Sequence, residues 1–435
     1  MNNFFFFTRM DQLSGVVEIS FIFAVEKPHS STHDNQHIMK ILHTSDWHLG
    51  HVLYGYDRTD EQQSMLNQMV KIAERVQPDL FLVSGDVYHT ADPKPAVQKM
   101  FNKTIADLCM KCPEMTIVVT AGNHDSGTKH EIFKTPWEAL NVHMVGKFDK
   151  DDLESHIIPI EGKGYIIALP FTYDRFLPED IYQQLIDLAG QMNTENLPVV
   201  FSAHTAISGV DFSGHEDVND KRVGGVDVVD ISAIGSGYDY LALGHIHKPQ
   251  FVHTGKHNVR YCGSPMAVGF DEAYAHSVTI VDIPEHGAPL TDDNFTIVEI
   301  KNPRPLVTLP NPDDTKAFGP WEEVNALYAA YPQDAQAYIR LNIMDPEAIP
   351  SNAYDKAVEQ AKGKDYIFCF INAKRRTTER GNGGQQQMTV EEFQATDPWK
   401  VVQMFAADTS NALFDEQDMQ PLFEEVMDEL KAKED

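Results

Sequence analysis

Short apolar runs and helical patterns alternate along the first part of the chain. Lys40–Thr44, Leu80–Ser84 and Met115–Thr120 have the length and apolar content of buried strands. Between them, Asp57–Gln77 and Ala96–Cys112 carry apolar residues at helical spacing. A strand, helix, strand, helix, strand order of this kind predicts βαβ units.

Strands dominate the pattern after residue 165, where one clear helix, Pro178–Met192, is predicted. Glycines scattered from Gly209 to Gly237 indicate a long irregular segment, which we interpret as a loop at the rim of the domain. The predicted strands are Tyr165–Leu169, Val199–Ser202, Tyr240–Leu243, Val259–Cys262, Ser277–Asp282 and Phe295–Ile300. The whole pattern predicts an α/β fold whose core is a two-sheet β-sandwich flanked by helices.

A proline-rich segment at 303–320 interrupts any regular element and predicts a domain boundary. We therefore expect a main domain at 39–303 and a small α+β domain at 304–380. The small domain's last strand runs into the basic cluster Lys374–Arg376, which is either a solvated strand end or a contact for phosphate or DNA. Its predicted elements are the helices Trp321–Tyr331 and Asn352–Lys362 and the strands Ala337–Met344 and Tyr366–Ala373.

The two ends of the chain differ from these domains. Residues 1–38 lack periodicity, so we expect either that the native protein starts at Met39 or that this segment is a disordered extension. Residues 381–388 are rich in Gly and Gln, which predicts a flexible linker. The tail, 389–435, has two amphipathic patterns that either pack back on the protein or dock on a partner. These helices are predicted at Pro398–Ala407 and Met419–Leu430.

Polar residues follow the predicted strands at the points where the strands end. Asp46 and His48 are two residues apart, so in an extended segment both side chains point to the same side. Alone, such a pair is also typical of an Asp that caps a turn. Similar residues follow further strands, and ligand sites of α/β sheets form at the carboxyl ends of strands. The pattern predicts a dinuclear metal site with the ligands Asp46, His48, Asp86, Asn123, His204, His245 and His247.

The residue types indicate the chemistry of this site. Asp86 is the natural bridge, because each carboxylate oxygen can hold one ion. Oxygen and imidazole ligands without thiolate suit manganese or iron better than structural zinc, and two such ions activate a water against a phosphoryl group. His124 is a candidate catalytic imidazole that Asp125 would keep protonated, and His89 is a second candidate. Histidines expected on the surface or in the core include His43, His51 and His215.

Composition limits the partners. The net charge of −30 repels polyanions, so a phosphate substrate needs bound cations, and tight unaided binding to nucleic acid is disfavoured. The 4 cysteines are too few and too scattered for a disulfide framework, which favours the reducing cytoplasm. We interpret Cys109 and Cys112 as structural, since no second Cys or His pair lies nearby. No apolar run is long enough to span a membrane.

The motifs Asp46-Trp-His48, Gly85-Asp86, Gly122-Asn-His-Asp125, His204 and Gly244-His-Ile-His247 resemble the calcineurin-like metallophosphoesterases over about residues 40–300. Two longer stretches, Ile41–Gly50 and Tyr261–Glu272, resemble the SbcD family of bacterial nuclease subunits. That resemblance implies a DNA nuclease with two Mn²⁺ ions per chain. It also implies an SbcC ATPase partner, a homodimer within a heterotetramer, and DNA double-strand ends and hairpins as substrates in replication and recombination.

The resemblance also assigns roles to parts of this chain. It implies that Asp46, His48, Asp86 and His247 hold one ion, that Asp86, Asn123, His204 and His245 hold the other, and that His124 assists phosphoryl transfer. The domain at 304–380 would be a cap that faces DNA, and the tail helices would dock on SbcC. Residues 1–38 depart from the family pattern.

Other functions remain open at this stage. Protein phosphatases of the superfamily usually follow Gly-Asp with Asp-Arg-Gly, whereas this chain has Gly85-Asp-Val-Tyr-His89, which disfavours a phosphatase. A small-molecule phosphodiesterase with the same metal site is an alternative, although it would not explain the cap, linker and tail together. A non-catalytic scaffold is a third interpretation, and it is disfavoured because a competent residue fills every ligand position.

Overall fold

The computed structural model describes residues 38–214, 222–253, 257–344 and 349–374, with a few positions between 399 and 423. Its α-helices are α1 (Thr59–Val76), α2 (Pro95–Lys111), α3 (Gly127–Glu138), α4 (Ile181–Met192), α5 (Trp321–Ala329) and α6 (Ala353–Ala361). Its strands are β1 (Met39–Thr44), β2 (Val52–Leu53), β3 (Tyr56–Asp57), β4 (Leu80–Ser84), β5 (Thr116–Thr120), β6 (Val142–Val145), β7 (Ile157–Ile160), β8 (Gly164–Ala168), β9 (Val199–His204), β10 (Ala206–Ile207), β11 (Arg222–Val223), β12 (Val226–Val229), β13 (Tyr240–Gly244), β14 (Gln250–Phe251), β15 (Val259–Tyr261), β16 (Ser277–Ile283), β17 (Phe295–Glu299), β18 (Leu306–Leu309), β19 (Tyr338–Met344) and β20 (Ile367–Lys374).

Two six-stranded sheets form the main body. The first has the strand order β17-β16-β1-β4-β5-β6, and the second has the order β14-β15-β13-β9-β8-β7. Strands β1, β4, β5 and β6 run parallel, as do β8, β9, β13 and β15. The carboxyl ends of the strands in each parallel group therefore lie at one edge of their sheet.

The alternation of side chains along β4 shows how the layers pack. Leu80 and Leu82 belong to the apolar layer shared with the second sheet, whereas Phe81 and Val83 pack with the helices α1 and α2. On the far side of the second sheet, Leu185 of α4 is fully buried. The predicted two-sheet sandwich flanked by helices is confirmed.

A third, three-stranded sheet with the order β18-β19-β20 follows, and both of its strand pairings are parallel. Helices α5 and α6 connect its strands, and Trp321 and Tyr328 are buried in its own apolar core. The predicted helices and strands of this region are present. Strand β18 was not predicted, because it lies inside the proline-rich segment. The domain boundaries themselves stay a prediction.

Some predicted features fall outside the described residues. These are residues 1–37, Arg375 and Arg376, the linker 381–388, most of the tail and His215. In the described part of the chain, none of the helices combines the length and the apolar character needed to cross a membrane.

Candidate metal centre

The predicted ligands lie on loops that leave neighbouring strands at the same edge. The loop after β1 is bound to the loop after β4, because the amides of Asp46 and His48 donate to the carbonyls of Gly85 and Asp86, at 3.0 and 3.1 Å. The backbone is strained at four of the predicted ligands, with positive φ at Asp46 (53°), His48 (43°), Asp86 (51°) and His245 (94°). Such strain in non-glycine residues concentrates at functional sites.

Glycines allow these loops to approach one another. A Cβ on Gly85 would lie 2.2 Å from Nδ1 of His204, and one on Gly122 would lie 2.1 Å from Oδ1 of Asp86. A Cβ on Gly244 would lie 1.8 Å from the carbonyl oxygen of Ser84. The Gly in each of these motifs is therefore a packing requirement of the site.

The structure brings the predicted ligands together in two adjoining groups. Asp46, His48 and His247 form one group, and Asp86, His204 and His245 form the other, each with its donor atoms within 4.8 Å of one another. All six residues are buried. Two buried carboxylates surrounded by imidazoles are a donor set that suits divalent cations.

Asp86 lies between the two groups. Its Oδ2 atom is 3.7 Å from Nε2 of His48 and 3.4 Å from Nε2 of His204. The side-chain oxygen of Asn123 lies 3.0 Å from Nε2 of His204 and 3.2 Å from Nδ1 of His245, so this amide joins the second group. Asp86 thus occupies the position expected of a bridge.

Hydrogen bonds on the outer nitrogens orient the imidazoles. His204 donates from Nδ1 to the carbonyl of Ser84 at 2.8 Å, and His245 donates from Nε2 to the carbonyl of Val223 at 2.9 Å. His247 places Nδ1 2.9 Å from Oε1 of Glu272. Each ring therefore turns its other nitrogen towards the centre, as metal-binding histidines do. The residues present fit a pair of divalent ions.

Burial and the close approach of carboxylates and imidazoles shift the pKa values of the cluster. Burial alone would raise the pKa of Asp86, but the facing imidazoles, His204 foremost, hold that pKa well below its usual range. Burial would lower the pKa of His204, but Asp86 raises it to about 9. Burial raises the pKa of Asp46 and lowers that of His48. Positive charge on the facing imidazoles thus stabilises the Asp86 carboxylate, and divalent cations would supply such charge instead.

His124 and His89 lie beside the ligands. The rings of these two residues stack at 5.7 Å, and the ring of His124 is 4.9 Å from that of His48. Nδ1 of His124 donates to the carbonyl of His89 at 3.0 Å, which leaves its Nε2 free of that bond. Both imidazoles line the cavity above the ligands.

The expected pairing of Asp125 with the His124 ring is not formed. The carboxylate of Asp125 instead accepts from the amides of Val87, Tyr88 and Gly122, at 3.1, 2.9 and 2.9 Å. A carboxylate that satisfies three backbone donors ties the loop after β5 to the loop after β4. Its observed contacts are therefore structural, and it does not touch the imidazole that it was expected to keep protonated.

Among the cavity-lining residues that sequence reasoning missed, three carry polar or ionisable groups. Glu272 supports His247 from outside, although the two are 25 positions apart. His51, expected on the surface or in the core, lines the cavity with its ring 4.6 Å from that of His89, and Tyr54 lines it as well. His51 and Tyr54 follow His48 within a few residues, and Glu272 ends the stretch Tyr261–Glu272 that carries the family resemblance, so the sequence did contain signals for all three.

His43 and the two cysteines have structural roles, as predicted, and glycines of the rim loop lie beside the site. His43 is fully buried and bonded to the hydroxyls of Tyr240 and Ser84, so it belongs to the core as expected. Cys112 is buried and Cys109 partly buried, both as free thiols. Glycines 214 and 224 of the predicted rim loop line the cavity, which measures about 500 Å³.

Comparison with known proteins agrees with this geometry. The calcineurin-like phosphoesterase family matches residues 39–249. The chain is 29% identical over 308 residues to the SbcD component of nuclease SbcCD from Rhodobacter capsulatus, covering 62% of this chain and 72% of that protein. The protein of the same name from Bacillus subtilis is 29% identical over 329 residues, covering 70% of this chain and 79% of that protein. The protein of the same name from Escherichia coli K12 is 31% identical over 270 residues, covering 55% of this chain and 65% of that protein. The resemblance noted in the sequence is confirmed, and residues 39–249 form a calcineurin-like phosphoesterase domain.

Proposed function

We propose that this chain is a metal-dependent DNA nuclease that hydrolyses phosphodiester bonds at a dinuclear Mn²⁺ centre. The observation that carries the proposal is the convergence of the predicted carboxylate, amide and imidazole ligands beneath one cavity of about 500 Å³. Curated relatives over most of the chain's length are named as nuclease subunits. Cleavage would be exonucleolytic on double strands and endonucleolytic on hairpins and single strands.

In this proposal each ion has its own ligand set. Asp46, His48, Asp86 and His247 would hold one ion, and Asp86, Asn123, His204 and His245 would hold the other, with Asp86 shared. The absence of thiolate among these ligands favours Mn²⁺ over structural zinc. When bound, the ions supply an activated water and neutralise charge on the phosphoryl group.

The chain's own residues would position the substrate and move the proton. His124 has one nitrogen fixed by the carbonyl of His89, so its other nitrogen is available to protonate the leaving oxygen. His89 stacks on His124 and holds the ring at this angle. Asp125 would act through the backbone, by fixing the loop that carries His124.

The acidic chain needs help to hold DNA. A net charge of −30 repels a polyanion, so the proposal includes an SbcC-type ATPase subunit that supplies further contacts. The tail at 389–435 would dock on that subunit, and the domain at 304–380 would face the DNA. We propose a homodimer of this chain within a cytoplasmic heterotetramer that processes double-strand ends and hairpins in DNA replication and recombination.

The test is cleavage of end-labelled duplex and hairpin DNA in Mn²⁺, with and without the ATPase subunit. His124→Ala should reduce kcat by roughly 10²–10⁴-fold, the usual contribution of a general acid. Metal content should remain that of the wild type, since this imidazole is not among the proposed ligands. His143→Ala is the matched control, because His143 lies on β6 and does not line the cavity.

Two outcomes would contradict the proposal. Hydrolysis of a small phosphodiester without any DNA cleavage, even with the ATPase subunit, would assign the site to a small-molecule phosphodiesterase. Absence of bound metal after dialysis against Mn²⁺ would favour the non-catalytic scaffold.

A further inference from the structure

The hairpin formed by β2 and β3 has an unusual residue at its tip. Its two-residue turn consists of Tyr54 and Gly55, both with positive φ, at 49° and 89°. Turns of this kind prefer Asn-Gly or Gly-Gly, because a bulky side chain in the left-handed region is strained. Tyrosine at the first turn position is therefore an outlier of the kind that concentrates at binding sites.

The surrounding structure holds this strained turn in place. Leu53, just before the tip, is 2% exposed and packs with Phe270 and Tyr338. Tyr56, just after it, donates its hydroxyl to the carbonyl of Phe368 at 3.1 Å. The hairpin is thus anchored to β20 of the small sheet, and its tip is fixed rather than free.

The Tyr54 ring is nevertheless presented to solvent. It packs against Phe370 at 4.4 Å between ring centroids, yet 53% of the residue remains exposed. A large aromatic side chain that is both strained and half exposed contributes little to the core. Its exposed surface faces the cavity that also contains His48, Asp86 and His124.

The cavity offers little to hold a phosphate chain apart from the metal centre. Among the described residues that line it there is no lysine or arginine, and Asp86 and Glu272 add negative charge. A DNA strand entering this cavity therefore gains no ion pair from its walls. Nucleobases are neutral, and stacking on an aromatic ring is the contact that an acidic wall can still provide.

We propose that Tyr54 is a stacking platform for an unpaired nucleobase of the nucleotide next to the scissile phosphodiester. This inference rests on the proposed nuclease function, and it identifies the unpaired nucleobase as the part of the substrate that contacts Tyr54 in the same cavity. A base within a duplex must first unstack and unpair, which costs free energy. For a base at a frayed end or in a hairpin loop, this cost is smaller. The platform thus favours ends and loops over continuous duplex.

A double-mutant cycle between protein and substrate tests this directly. The full chain and Tyr54→Leu are compared in Mn²⁺ on a hairpin whose cleavage site has been mapped. Companion hairpins carry an abasic residue immediately 5′ or 3′ of that site. Tyr54→Leu should reduce kcat/KM on the intact hairpin by about 5- to 150-fold, the usual contribution of one stacked base.

The abasic hairpins decide between stacking and a structural role. If the ring stacks on the base that is missing, removing that base should cost the wild type as much kcat/KM as removing the ring. The wild type on one abasic hairpin should therefore be as slow as Tyr54→Leu on the intact hairpin. On that abasic hairpin the substitution should have no further effect. The proposal would be overturned if Tyr54→Leu reduced kcat/KM on both abasic hairpins by the same factor as on the intact hairpin. An unchanged kcat/KM of Tyr54→Leu on the intact hairpin would also overturn it.

Two further variants control for folding. Tyr56→Leu changes the same hairpin and its contact with β20, but Tyr56 does not line the cavity, so its effect should be the same on intact and abasic hairpins. Tyr54→Trp keeps a stacking face and should recover most of the loss. Failure of the wild type to cleave any DNA would instead reject the nuclease function itself, so the two failures are distinguishable.

Discussion

The imidazole of His247 is held by the carboxylate of Glu272, which is not among the proposed metal ligands. Glu272 is buried, accepts the Nδ1 proton of His247 at 2.9 Å, and also lies 3.3 Å from the hydroxyl of Ser264. Burial would lower the pKa of His247, but Glu272 raises it to about 9. A carboxylate in this position fixes the ring and makes its other nitrogen a better ligand.

We therefore expect Glu272→Gln to bind Mn²⁺ about 10- to 100-fold more weakly, because the amide keeps the acceptor but loses the charge. Calorimetric titration of chelator-treated protein measures this affinity. Glu299→Gln, on the exposed edge strand β17, is the control and should bind like the wild type. Equal affinity in Glu272→Gln and the control would show that the carboxylate does not support the metal.

His43 provides a pH-dependent test at the same scale. Burial, assisted by the nearby Arg260 guanidinium, lowers the pKa of His43 to about 3. In the unfolded chain the imidazole binds a proton below its ordinary pKa near 6.5, whereas in the folded chain it stays neutral until about pH 3. The free energy of unfolding should therefore fall as pH decreases from about 6.5, by up to ~1.4 kcal/mol per pH unit from this residue.

Urea unfolding at pH 7.5, 6 and 5 tests this expectation. His43→Gln should be less stable than the wild type at pH 7.5, because its bonds to Tyr240 and Ser84 are altered. Its stability should nevertheless decline less steeply than that of the wild type as pH falls. Parallel declines in the two proteins would contradict the assignment of this pH dependence to His43.

The predicted ligands could be grouped from the sequence because each lies at or soon after the carboxyl end of a strand, and neighbouring strands bring these ends together. Residues that act across the cavity gave no such signal. Glu272 meets His247 only through the packing of two loops, and Tyr54 reaches the cavity through a strained turn. The role expected of Asp125 required a side-chain direction, which neighbouring positions in a sequence do not specify.

At the scale of elements, the turn after β4 decides whether the two sheets can share one site. Gly85 has φ of 90°, and a Cβ there would lie 2.2 Å from Nδ1 of His204 at the end of β9. Any side chain would therefore push the turn that carries Asp86 away from the end of β9, where His204 lies. This turn couples the fold to the ligand geometry.

Gly85→Ala should therefore lower both the melting temperature and the amount of metal bound. Gly162→Ala is a matched control, because Gly162 also has positive φ (64°) but nothing lies within 4 Å of its Cβ position. The control should lose only the ~1–2 kcal/mol of left-handed backbone strain and keep its metal. Thermal melts and metal analysis of both variants measure this, and equal losses would show that the close approach is unimportant.

Periodicity identified the elements that carry strong apolar patterns and missed those that do not. Helices α1, α2 and α4 and the site strands were predicted within a few residues of their observed bounds. Helix α3 contains Pro136, and strand β7 contains Pro159, so neither reads as a regular element. The parallel pairing of β18 with β19 could not be predicted, because β18 lies inside the proline-rich segment and was not itself predicted.

For the molecule as a whole, charge is the dominant constraint on binding DNA. With a net charge of −30, the isolated chain should bind duplex DNA weakly at physiological salt, and the ATPase subunit should strengthen binding. Fluorescence anisotropy of labelled duplex measures this. Nanomolar affinity of the isolated chain would contradict the expectation.

The few cations that do contact phosphate should be identifiable from salt dependence. Lys374 is exposed at the end of β20, on the strand that carries Phe370, and begins the only tight basic cluster of the sequence. If Lys374 binds a phosphate, Lys374→Ala should weaken DNA binding and make the slope of log K against log salt shallower by about 1. Lys356→Ala, exposed on α6 of the same small domain, should leave the slope unchanged. Equal slopes in all three proteins would make this cluster a solvated strand end, and the positive surface would then have to come from the metal ions and the partner.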